Sequence, residues 1–111
     1  MVNWPGVIKF SGDAELIYVA DQAAWEQNPE LYSADYSEAD YLVDSAGDVY
    51  CLTIKTDKRV KPECSGEART LVEVLGLVKA HAAQSGSCCV SKLYAPSIRE
   101  AMEIVASVNQ A

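Results

Sequence analysis

The apolar positions of this chain change their period partway along. In the first half they fall in short runs with strand character. Val7–Phe10 and Glu15–Val19 are rich in β-branched and aromatic residues, and Ser11, Gly12, Asp13 and Ala14 between them have the composition of a turn. Two such runs predict a β-hairpin. Trp4, Pro5 and Gly6 lead into it, and proline suits a first or edge position because it has no N–H to donate. Tyr41–Asp44 and Val49–Lys55 predict a second hairpin across Ser45, Ala46, Gly47 and Asp48, with Gly47 free to adopt a positive φ. Alternation in the later strand puts Tyr50, Leu52 and Ile54 on one face and Val49, Cys51, Thr53 and Lys55 on the other. That is the pattern of a sheet with one dry and one partly wet face.

Helical spacing takes over from Ser65 to Gly86. Ser65 is the expected cap, with Glu67 in the first turn, where the dipole favours an acid. Leu71, Leu75, Val78 and Ala82 make one stripe, and Val72, Val74 and Leu77 widen it enough to bury one side of the helix. Gly86 ends it. A shorter helix is expected over Asp21–Gln27, capped by Asp21 and stopped at Asn28-Pro29. Ser87–Tyr94 reads as a fifth strand. Ser97 and Glu100 have capping-box spacing and open a final helix through Val108, with Ile98, Met102 and Val105 inward. The expected order is β-β-(α)-β-β-α-β-α. It predicts an α+β fold: a two-layer sandwich in which a mixed, mostly antiparallel sheet of about five strands carries the two main helices on one face. The strands flanking the long helix are expected to run parallel through a right-handed crossover.

A chain of 111 residues suffices for one hydrophobic core, so residues 1–111 are expected to form a single domain. No run approaches the roughly 20 apolar residues of a membrane span. Met1–Pro5 has neither a basic nor an apolar leader region. The expected location is therefore the cytoplasm, with the cysteines reduced. The net charge is −7, unevenly spread. Residues 1–54 hold one base against ten acids, −9, and residues 55–111 hold eight bases against six acids, +2. Such a balance argues against nucleic-acid binding and otherwise serves solubility.

Trp4–Leu16 and Tyr41–Tyr50 together resemble an uncharacterised family of short bacterial proteins, a domain of unknown function. The resemblance covers the first half of the chain. It implies a small stand-alone bacterial protein and carries over no catalytic or binding residue.

Candidate chemistry is sparse. Cys51, Cys64, Cys88 and Cys89 include no C-x-x-C pair, so zinc-ribbon and thioredoxin spacings are absent. A metal or redox site from Cys64, His81, Cys88 and Cys89 requires two adjacent strand residues to reach one ion, although they point to opposite faces. Buried free cysteine is the plainer reading. His81, the single histidine, sits late in the long helix, where it favourably meets the dipole. Asp44 and Asp48 flank a turn glycine without the ligand spacing of a calcium loop. Lys55, Lys58, Arg59 and Lys61 form one basic cluster, suited to an anion or an acidic partner and equally to a solvated loop. Trp25, Tyr32, Tyr36 and Tyr41 lie in an acidic, irregular stretch. Such aromatics are either interface anchors or a cover for the sheet face that the helices leave open.

These features favour a non-catalytic protein-binding or regulatory module without cofactors. It would act on a protein partner or as a homo-oligomer through Trp25, Tyr32, Tyr36, Tyr41, Lys58 and Arg59. The alternative is a small thiol- or metal-dependent protein using Cys64, His81, Cys88 and Cys89. A third class is a small-ligand binder with Trp4 or Trp25 in a pocket.

Overall fold

A computed structural model of the chain describes residues 2–86 and 93–109. Within these residues five strands form the main sheet: β1 (Gly6–Lys9), β2 (Leu16–Val19), β3 (Tyr41–Asp44), β4 (Asp48–Cys51) and, after the small separate hairpin of β5 (Lys55–Thr56) and β6 (Arg59–Val60), β7 (Glu63–Ala68). The order across the sheet is β2-β1-β3-β4-β7, and every neighbouring pair is antiparallel. Among the described residues four helices accompany it: α1 (Gln22–Gln27), α2 (Pro29–Tyr32), α3 (Leu71–Gln84) and α4 (Ile98–Asn109). The fold is α+β, as expected.

Register decides which side chains share a face. Val7 lies opposite Tyr18 and Val43, and Val43 lies opposite Val49. This row meets Val74, Val78, Met102 and Val105 of α3 and α4 in one buried cluster. The neighbouring row, Ile8, Leu42 and Tyr50, points the other way. It packs on Trp25 of α1, Leu31 of α2 and Val60 of β6. The second face is therefore dry as well. Both faces of β4 are buried, Val49 on one and Tyr50 on the other, instead of one dry and one wet.

Both main helices pack on one face, as anticipated, but the second half of the expected order needs correcting. The segment Glu63–Ala68 is a strand, and it precedes the long helix. Ser65 does not cap that helix; its hydroxyl donates to the Val49 carbonyl at 2.9 Å, across β4. The helix starts six residues later in a capping box. Thr70 Oγ1 accepts from the Glu73 amide, and Glu73 Oε1 accepts from the Thr70 amide. Val72, counted in the apolar stripe, is exposed, and His81 completes the stripe in its place. The described sheet is antiparallel throughout, so its fifth strand joins by no parallel crossover. The strand expected at Ser87–Tyr94 falls mostly outside the described residues. All six β7 residues are exposed at the sheet edge. Glu63 and Glu67 charge that edge, and the pairing with β4 is irregular around Gly66 at φ +83°. These features discourage pairing with another chain.

Among the described residues three polar side chains are buried, and each fastens separate segments. Asp44 accepts from the Asn3 amide and the Tyr50 hydroxyl on one oxygen, and from the Ala46 and Asp48 amides on the other, all at 2.9–3.0 Å. Asp40 accepts from the Ser11 and Ser37 amides at 2.7 Å. Burial pushes the Asp40 carboxyl up, but those amides, the Ser37 hydroxyl and the Lys9 charge outweigh it and hold it below the usual range. His81 Nδ1 accepts from the Leu16 amide at 2.9 Å, giving the edge strand β2 a fixed attachment to α3. Among the described residues, no buried side-chain nitrogen or oxygen lacks a partner.

Gly47 sits at the turn that Asp44 organises, with φ +88°. A Cβ there would come within 2.5 Å of the Arg69 carbonyl oxygen, which is backbone and cannot step aside. Gly12 also has a positive φ but faces open space. Gly47→Ala is expected to cost about 2–4 kcal/mol, and Gly12→Ala about 1 kcal/mol, in urea-unfolding free energy. Equal losses at the two sites would contradict this packing.

Candidate functional site

The cover over the second sheet face is made of small pieces, and a groove runs between them. One cleft of about 370 Å³ is floored by Trp25, Tyr32 and Val60 and walled by Glu26, Arg59 and Lys61. A shallower space of about 640 Å³ adds Val2 and Trp4. The two share Gln22, Glu26, Lys61 and Pro62, so they form one groove along α1.

Each wall has a local cause. α1 starts where Asp21 accepts from the Ala24 amide at 2.8 Å, and Asn28 both ends α1 and caps α2, accepting from the Glu30 amide. Pro29 then occupies the first turn of α2, where a missing N–H costs nothing. The opposite wall is the β5–β6 hairpin. Its two central residues, Asp57 at φ 52° and Lys58 at φ 65°, give the double positive φ of a type I′ turn without glycine. Val60 anchors this hairpin in the core, and the Lys61 amide donates to the Ile54 carbonyl at 2.9 Å.

Ring contacts fix the floor. Trp4 and Trp25 lie 6.4 Å apart, centroid to centroid. The Trp4 indole donates to Gln22 Oε1 at 2.9 Å, and Gln22 Nε2 donates to Glu26 Oε1 at 3.1 Å. The Arg59 guanidinium lies 4.3 Å over the Tyr32 ring, a cation–π distance.

The residues singled out from sequence divide. Trp25, Tyr32 and Arg59 line the groove, and Lys58 forms the hairpin tip beside it. Trp25 itself is only 3% exposed, so its ring serves the core as well as the groove. Tyr36 stacks on Phe10 at 5.8 Å and donates to the Leu31 carbonyl, holding the segment before β3. Burial, then the nearby Asp40 charge, pushes its phenol up to about 12. Tyr41 lies on the opposite sheet face, packed near α3 and α4 under Arg69. Of the thiol candidates, Cys64 is cross-strand from Tyr50 and exposed, whereas His81 is buried beneath α3 on the other face. Cys88 and Cys89 lie outside the described residues, and among those described no three His, Cys, Asp or Glu side chains gather around a metal-sized site. Gln22, Glu26 and Pro62 went unread from sequence. A hairpin closed by Asp57-Lys58 lacks the Asn-Gly signal that would have placed them across from each other.

The fold and the groove define a small α+β protein with a covered sheet and a concave aromatic surface at one side of it. The chain belongs to the DUF4144 family, described as a protein structure with unknown function, whose model matches residues 4–105. It is also similar to a protein from Shewanella amazonensis whose structure was solved by NMR. The TM-score is 0.69 and the identity 24%, over 96% of this chain and 90% of that one, a likeness of fold. No curated protein matches. Among the described residues, no helix is long and apolar enough to cross a membrane.

Lys58 is a non-glycine residue in left-handed conformation on the hairpin that forms one wall. Lys58→Gly is expected to raise the unfolding free energy by about 0.5–1 kcal/mol, read as a higher urea midpoint at unchanged slope. A lower midpoint would show that the lysine is held by contacts, not tolerated against its backbone preference.

Proposed function

We propose that the protein is a cytoplasmic, single-domain, non-catalytic binding module, and that a protein partner occupies the groove between α1 and the β5–β6 hairpin. The observation that carries this reading is the groove itself. Two tryptophans and a tyrosine are brought to one concave surface by the Trp4 lead-in, α1 and α2. Aromatic floors with a polar rim are the composition of interface hot spots. The rest of the polar machinery supports the same reading, because Asp40, Asp44 and His81 are each engaged in fastening the fold. The family match and the Shewanella likeness bear on the fold and leave the partner open.

A photo-crosslinking residue introduced at Lys61, on the groove rim, is compared in cells with the same residue at Val72, on the exposed side of α3. Capture of one and the same protein from position 61 and not from position 72 is the expected result. Equal capture at both positions, or a purified chain that stays monomeric and captures nothing at position 61, would overturn the reading.

A further inference from the structure

We infer that the groove selects an extended peptide segment in which carboxylates lie within two residues of an apolar side chain. This inference rests on reading the groove as a protein-binding site and specifies what the partner must present. Its basis is a local reversal of charge. The molecule carries −7 overall, yet four of its nine Lys and Arg residues, Lys55, Lys58, Arg59 and Lys61, fall on or beside one hairpin. Among the described residues a single ion pair forms, Lys55 with Asp35 at 2.8 Å. Lys58, Arg59 and Lys61 form none. The Arg59 guanidinium lies 4.3 Å over the Tyr32 ring, and with five N–H donors it can keep that contact and still donate to a carboxylate.

The shape and the opposite wall narrow the occupant. The two spaces overlap at Gln22, Glu26, Lys61 and Pro62, so the concave surface continues from Tyr32 and Arg59 to Val2 and Trp4, which suits a chain more than a compact molecule. A partner helix lying along α1 would find less than two turns to pack on, because α1 has six residues and is only about 9 Å long. An extended segment turns alternate side chains down and up. One can drop onto Trp25, Tyr32 and Pro62 while its neighbours reach the cationic rim. A nucleic acid fits less well. Glu26 and Asp57 also line the groove, and their charges oppose a continuous phosphate chain more than a segment with a few spaced carboxylates.

The test is a ¹⁵N NMR titration with two short blocked peptides that share a central leucine, one with glutamates two residues to either side and one with lysines there. A single-stranded oligonucleotide serves as a further arm. The glutamate peptide is expected to shift the Trp4 and Trp25 indole N–H signals and the Lys58–Lys61 amides. Its binding should weaken about ten-fold in the K58E/K61E double variant, with the remaining spectrum unchanged, and weaken again as salt rises. Equal or tighter binding of the lysine peptide would overturn the inference. So would shifts from the oligonucleotide alone, concentration-dependent shifts without peptide, which mean a second copy in the groove, or no shift with any probe. If position 61 still captures a partner in cells while the glutamate peptide fails, the acidic specificity is wrong and the protein-binding reading stands. If both fail, both are wrong.

Discussion

The buried carboxylate of Asp44 is the contact on which the other parts of this structure depend. Some acceptor must satisfy the amides of the turn between β3 and β4. Asp44 does so from within, accepting from the Ala46 and Asp48 amides. The same group reaches outward to the Asn3 amide and to the Tyr50 hydroxyl. Burial, followed by that hydrogen bond and the Asp44 charge, pushes the Tyr50 phenol up to about 12, so it remains a donor at neutral pH. A single side chain thereby joins the lead-in, the central turn and the core of the second face. Removing one partner from such a network costs more than forming it gains, because the remaining groups stay buried.

The consequences spread from there to the groove. With Asn3 fixed by Asp44, and its carbonyl accepting from Ser45, the next residue, Trp4, is set beside Trp25. Gly47 lets the turn pass close under Arg69, whose amide donates to the Gly47 carbonyl at 2.7 Å and leads directly into the Thr70 cap of α3. The long helix and the aromatic surface lie on opposite sides of the sheet, yet both are positioned through the same five-residue turn region. α3 and α4 supply the larger apolar contact, and the short elements supply the surface.

Much of this was legible in the sequence where local chemistry and periodicity agree. Both hairpins of the main sheet, the Asp21 and Ser97 caps and the inward residues of α4 follow from short-range rules. Reading failed where a stronger long-range term acted. Glu63–Ala68 has no apolar alternation to mark it as a strand; it is ordered by pairing with β4 and lies wholly exposed. Taking Ser65 as a cap lengthened the long helix, although Thr70 and Glu73 carried the truer capping-box spacing directly before the apolar run. The groove was half legible. Trp25, Tyr32 and Arg59 could be named for their type, but Tyr41 belongs to the other face because one residue of register separates it from Leu42. The pairing of α1 with a glycine-free hairpin has no sequence signature.

The isosteric substitution Asp44→Asn tests this account most directly. It keeps the volume but turns one acceptor oxygen into an amide that faces only donors. Urea unfolding, followed at pH 7 beside the unaltered protein, is expected to show a loss of about 3 kcal/mol or more, a large share of the stability of a domain this size. A loss below about 0.5 kcal/mol, within the range of an ordinary surface substitution, would contradict the claim that this one carboxylate holds the turn, the lead-in and the second face together.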